Sequence, residues 1–194
     1  MAIYNSMILW IAILGIYNRI SLRTKQRKCE MPQGHNKYRV PMWLGVLTFG
    51  YIIFWVGMRS GVADTGTYIT AFNTYPSDIS IIPQYWDFSE NKSPGFVTFS
   101  ILFKHFISTD YHIWLMTIAV FTGIPIMLVL RKRSEHFFYS MFLFMAGLLF
   151  FWMLNGMRQF LAAAIVFLAS DWIEKRKTIF FILAVLVAAT IHFT

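Results

Sequence analysis

Two arginines, Arg59 and Arg158, stand at the edges of long apolar runs. A guanidinium presents a planar fork of N–H donors that matches a phosphate group. Arg59 is followed by Gly61 and then by Asp64-Thr65-Gly66-Thr67-Tyr68. Small residues let a backbone approach a ligand closely. Arg158 follows Leu154-Asn155-Gly156 at the head of a stretch of Phe, Leu and Ala. If a helix starts near Met157, Arg158 and Gln159 fill its first turn, and their side chains face the same anion as the free N–H groups there. His192 is a weaker candidate, because a lone histidine at a helix end usually packs or meets headgroups. The plain alternative for Arg59 is an arginine that snorkels to the headgroups. For Arg158 it is a charged hairpin tip, but a charge at membrane depth costs roughly 2.5–3.5 kcal/mol at a helix centre, which favours function.

The composition says what holds these residues. The chain is 57% hydrophobic and 13% charged, with a mean hydropathy of +0.56. Soluble domains carry about 25% charged residues, so the class is an integral membrane protein. Thirteen of the seventeen Lys and Arg residues fall in three blocks, 19–39, 131–133 and 175–177. Short loops rich in Lys and Arg remain cytoplasmic. That rule accounts for the net charge of +8 and leaves no call for nucleic acid as a partner. Cys29, alone in the first block, has no disulfide partner and no metal-ligand spacing to His35.

The blocks orient the apolar runs. Residues 3–17 run inward and 40–58 outward, with Pro32-Gln33-Gly34 as a turn between them. Residues 59–93 form an external loop rich in Tyr, Trp and Asp. Residues 94–108 are short and carry Lys104 and His105, which reads as an interfacial or re-entrant helix with those two on its polar side. Residues 112–130 cross inward, 137–154 outward, 157–172 inward and 178–193 outward. The expected fold is therefore an all-α polytopic membrane protein, one transmembrane domain over 1–194. It has about six transmembrane helices, one surface helix and both ends outside. Arg59, Asp64, Arg158 and His192 then share the external face. The chain stops inside an apolar segment, so the expectation is the N-terminal part of a longer protein.

The stretch 59–72 (RSGVADTGTYITAF) resembles the first external signature of the EpsG family of bacterial exopolysaccharide proteins. Further points of resemblance are Pro94-Gly95-Phe96, the hairpin 155–162 (NGMRQFLA) and His192-Phe193-Thr194. The family pattern has Glu directly before Pro-Gly-aromatic; here Ser93 holds that place and Glu90 is displaced. The family itself resembles Wzy-type O-antigen and capsule polymerases. The resemblance implies a polysaccharide polymerase-like glycosyltransferase at the outer face of the bacterial cytoplasmic membrane. Its partners would be an undecaprenyl-pyrophosphate-linked oligosaccharide, membrane lipid and other polysaccharide-assembly proteins. It implies Arg59, Tyr68, Arg158 and Gln159 as substrate contacts and Asp64 or His192 as the base, with no choice between those two. No paired acidic motif is present to hold a metal beside a sugar nucleotide, so no metal and no cofactor is expected. Two other classes fit the same residues: a transporter or flippase of lipid-linked sugars, and a non-catalytic scaffold of an exopolysaccharide assembly complex. One-sided polar residues favour the enzyme, because a transport path opens to both sides.

The orientation is directly testable. In a Cys29→Ser background, single cysteines at Ser77 and Asp87 should react with an impermeant maleimide in intact cells, and one at Lys132 should not. Labelling at Lys132 but not at Asp87 inverts the topology and moves the arginine pair to the cytoplasm.

Overall fold

A computed structural model describes residues 2–28, 40–89 and 91–193. Every regular element among the described residues is helical. The expected turn at Pro32-Gln33-Gly34, together with Cys29, His35, Glu90 and Thr194, lies outside them.

Helix α1 (Ala2–Lys28) runs on through the first basic residues instead of stopping near Tyr17. No Gly or Pro interrupts residues 16–28, and Arg, Lys and Gln are good helix formers. Helix α2 (Met42–Gly57) follows Pro41. The loop expected over 59–93 is partly folded, with α3 (Thr65–Thr74) and a 3-10 helix at Ile79–Tyr85. Then come α4 (Pro94–Phe106) and α5 (Tyr111–Arg133). The single run expected over 137–154 is broken into α6 (Phe137–Ala146) and α7 (Leu148–Asn155). Helices α8 (Met157–Glu174) and α9 (Thr178–Ile191) complete the fold.

α1 and α5 are each long and apolar enough to cross a membrane by themselves. α6 and α7 qualify only as a pair, bent by 60°, and α2 and α9 are apolar but shorter. The bend has a steric cause. Gly147 is extended (φ −91°, ψ 178°), and a Cβ there would stand 2.8 Å from the Leu143 carbonyl oxygen. Breaking a helix frees carbonyls, which hydrocarbon does not solvate. The Gly147 N–H donates to Leu143 O at 2.9 Å, and the Tyr4 hydroxyl donates to Met145 O at 2.8 Å.

The contacts fix the helix directions. α1 lies antiparallel to α2, with the Trp10 indole donating to Leu47 O and Tyr17 packed on Trp43. Arg131, near the end of α5, donates to Val40 O beside the start of α2. Lys132 and Arg133 pair with Asp171 and Glu174 at the end of α8. The described basic residues of all three blocks therefore sit at one end of the bundle. The segment 59–110 sits at the other, with the starts of α5 and α8 and the end of α9.

Two apolar clusters match these ends. The larger joins α1, α2, α6 and α7 to the middle of α5 and α8, around Phe49, Ile52, Met141 and Met145. The smaller packs Phe72 of α3 and Phe96 and Phe103 of α4 against Trp114, Met157 and Leu161. Phe72 stacks on Trp114 with ring centroids 4.6 Å apart. This second cluster is the platform under the site.

α4 also docks on α9. A Cβ at Gly95 would fall 2.3 Å from Thr190 Oγ1 and 3.0 Å from the Thr190 carbonyl carbon, so only glycine admits the α9 backbone here. The Phe193 N–H then donates to Lys92 O at 2.9 Å. Gly95→Val should cost about 1–3 kcal/mol by overpacking. Gly66, helical and with nothing near its missing Cβ, should gain up to about 1 kcal/mol as Gly66→Ala. Apparent Tm in detergent checks both, and an unchanged Tm for Gly95→Val contradicts the docking.

Candidate functional site

Arg59 leaves α2 one residue past its C-cap and turns inward, 8% exposed. Its Nε donates to Thr65 Oγ1 at 2.9 Å and its Nη1 to Val56 O at 2.9 Å. The Thr65 hydroxyl in turn donates a hydrogen bond to Val62 O. The turn between them holds Ala63 at φ 56°, a left-handed conformation that costs a residue with a Cβ roughly 1–2 kcal/mol. The arginine therefore organises the start of α3. Burial lowers its pKa to about 10, opposed by the nearby Tyr68, so it remains a cation at neutral pH.

Arg158 opens α8. The side chain is half-buried, with its guanidinium 5.6 Å from the centre of the Tyr68 ring. Its Nη1 donates to Ser93 Oγ at 2.8 Å. Its Nε is buried without a hydrogen-bond partner. Tyr68 thus stands between the two arginines, ninety-nine positions apart in the chain. Among the described residues, neither arginine is paired with a carboxylate.

His192 caps the end of α9, and both of its ring nitrogens are buried without a partner. Burial lowers its pKa, and repulsion from Arg158 and then Lys92 adds to this. The imidazole is neutral at neutral pH. Tyr75 also feels Arg158, but burial dominates and raises its pKa.

Gln159 and Asp64 do not join this group. The Gln159 amide oxygen accepts from the Trp152 indole at 3.0 Å, which closes the α7–α8 hairpin. Asp64 is exposed at the start of α3, and its carboxylate makes no hydrogen bond or ion pair among the described residues. A groove between α1 and α6 lies at the opposite end.

Three side chains escaped the sequence argument. Ser93, fully buried, is the neutral acceptor for Arg158; its place before Pro94 at the head of α4 was the available signal. Tyr75 had none, since only the fold brings it near Arg158. Lys104 does more than give α4 a polar side. Its ammonium donates to the Phe72, Asn73 and Tyr75 carbonyls at 3.0, 3.0 and 2.6 Å. It closes the C-terminus of α3, as a cation does well, while His105 reaches Ser77 O.

The model of the EpsG family matches residues 42–194, most of the chain. The chain belongs to the EpsG family. No curated protein and no solved structure matches it. Membership and the apolar helices together make it an exopolysaccharide-related membrane protein. The matched region begins at α2 and takes in Arg59, Tyr68, Arg158 and His192, whereas α1 lies outside it.

The buried imidazole has a thermodynamic consequence. An unfolded histidine titrates near ~6.5, and folded His192 does so lower. Between these values the unfolded chain binds more protons, so stability rises with pH. The His192 contribution is complete above the unfolded value and is lost as pH falls through the window below it. His192→Asn should flatten this part of the Tm-versus-pH curve. Equal slopes for wild type and variant below ~6.5 contradict the buried, neutral imidazole.

Proposed function

We propose that this EpsG-family protein is a polysaccharide polymerase-like glycosyltransferase acting on undecaprenyl-pyrophosphate-linked glycans. One observation carries the reading: a buried and a half-buried arginine flank Tyr68 with no carboxylate partner among the described residues. Buried cations left unpaired are costly, and a pyrophosphate resolves that cost. In this reading the basic end is cytoplasmic, the N-terminus is external, and the arginine end faces outward from the bacterial cytoplasmic membrane. The crossing segments are α1, α2, α5, the α6–α7 pair, α8 and α9. Helix α4, 13 residues long and about 20 Å at 1.5 Å per residue, is the interfacial element.

The chemistry follows from the charges. An acceptor hydroxyl of one lipid-linked unit attacks the anomeric carbon of another. The new glycosidic C–O bond forms as the bond to pyrophosphate breaks. Arg158 and Arg59 stabilise the departing negative charge, and Tyr68 holds the guanidinium of Arg158 on its ring. The hydroxyl proton goes to a base. His192 suits this better than Asp64, because its imidazole is neutral and beside Arg158, whereas Asp64 is exposed and apart.

The test is glycan chain length on gels from a complemented deletion strain. Arg158→Lys keeps the charge but loses the fork, and should lose most activity. Arg59→Ala should do the same, partly through the turn it holds. Lys175→Ala, exposed at the opposite end, should be near neutral. Normal long chains from both arginine variants sink the assignment and leave the scaffold reading ahead.

A further inference from the structure

The groove at the basic end has a different chemistry from the site. It has a volume of about 1410 Å³ and opens between α1 and α6. Its walls are apolar, from Ile11 and Ile16 on α1 to Phe138 and Phe142 on α6. The two helices touch at the Gly15–Phe138 contact, where a Cβ on Gly15 would meet Phe138 at 3.3 Å. One turn further along α1, Arg19 lines the groove together with His136, the N-cap residue of α6.

The mouth is more basic than acidic. Arg19 and Arg23 follow each other at helical spacing, both exposed and without an ion pair among the described residues. Among the described residues, Glu135 is the one carboxylate lining the groove. No side chain caps the N-terminus of α6 at His136, so its first N–H groups add positive potential there.

Shape and charge together specify an occupant. Apolar walls between helices of a membrane protein exclude water and admit acyl chains. An acyl chain in the groove places its headgroup at the Arg19 end. Basic pockets between transmembrane helices favour anionic lipid headgroups. We infer that the α1–α6 groove is a binding site for an anionic glycerophospholipid, with its phosphate at Arg19 and an acyl chain along Ile11, Ile16, Phe138 and Phe142. The inference is independent of glycosyl transfer, and α1 lies outside the family-matched residues.

The test uses the full chain purified in detergent. Phosphatidylglycerol and phosphatidylcholine with identical acyl chains are titrated in, and thermal stability is read; a ligand that binds only the folded state raises Tm. Phosphatidylglycerol should raise Tm more than phosphatidylcholine. Arg19→Gln should at least halve that difference, and Ala12→Trp, which fills the groove wall, should blunt the response to both lipids. Lys175→Gln, an exposed charge elsewhere at the same end, should leave the difference intact. Equal responses to the two lipids in the wild type overturn the site. So does an Arg19→Gln variant that keeps the full difference, or a Lys175→Gln variant that loses as much of it. Should Ala12→Trp disturb folding, the wild-type and Arg19→Gln comparisons still decide.

Discussion

Hydrocarbon does not tolerate uncompensated charge, and in this protein that exclusion sorts the described charged side chains to the two ends of the helix bundle. The ends then treat charge in opposite ways. At the basic end, Lys132 and Arg133 meet Asp171 and Glu174 at 2.6–3.0 Å and tie α5 to α8. At the other end Arg59 and Arg158 bend inward and, among the described residues, meet only neutral groups: a threonine, a serine, backbone carbonyls and a tyrosine ring. The first arrangement, the α5–α8 contact, is closed and structural, and Arg19 and Arg23 at the same end stay outside it. The second retains a positive charge that no described residue cancels, and such a site is complementary to an anion.

The outline was legible wherever a single strong signal acted alone. The second and third basic blocks located the ends of α5 and α8, and Asn155-Gly156 located the α7–α8 hairpin, because charge and glycine leave few alternatives there. The Gly147 bend was hidden inside eighteen apolar residues, where hydropathy is blind to one steric contact. Helix α3 was hidden because its Thr and Gly residues read as loop, although Tyr68 and Phe72, four apart, mark one packed face. Lys104 was misread for a related reason. A lysine on an apolar helix looks like an interfacial anchor until a second helix ends within reach, and only the fold brings α3 there.

The candidate residues were legible in the sequence more than their relations were. Arg59, Tyr68, Arg158 and His192 do gather at one end, but the links among them run through residues that carry no chemical signal. Gly95 lets α9 approach α4, the Phe193–Lys92 backbone bond pins the end of α9, and Lys104 fixes the end of α3. Gln159 and Asp64 show the limit of arguing from residue type. Both had suitable chemistry, yet one closes a hairpin and the other faces solvent.

The residue before Pro94 decides what kind of site this is. A carboxylate at position 93 would pair with Arg158 in the same place where Ser93 now accepts its Nη1 hydrogen bond. Such a pair would orient the guanidinium equally well and cancel its charge. A serine hydroxyl orients without cancelling, because a neutral acceptor leaves the net charge at +1. The price is an arginine held by one side-chain hydrogen bond and one ring, with its Nε buried and unpaired. Burial lowers the pKa of His192, and the uncancelled guanidinium beside it adds to that by repelling a second proton. A hydroxyl rather than a carboxylate at position 93 therefore leaves the Arg158 charge uncancelled at that contact and adds to the repulsion that His192 feels.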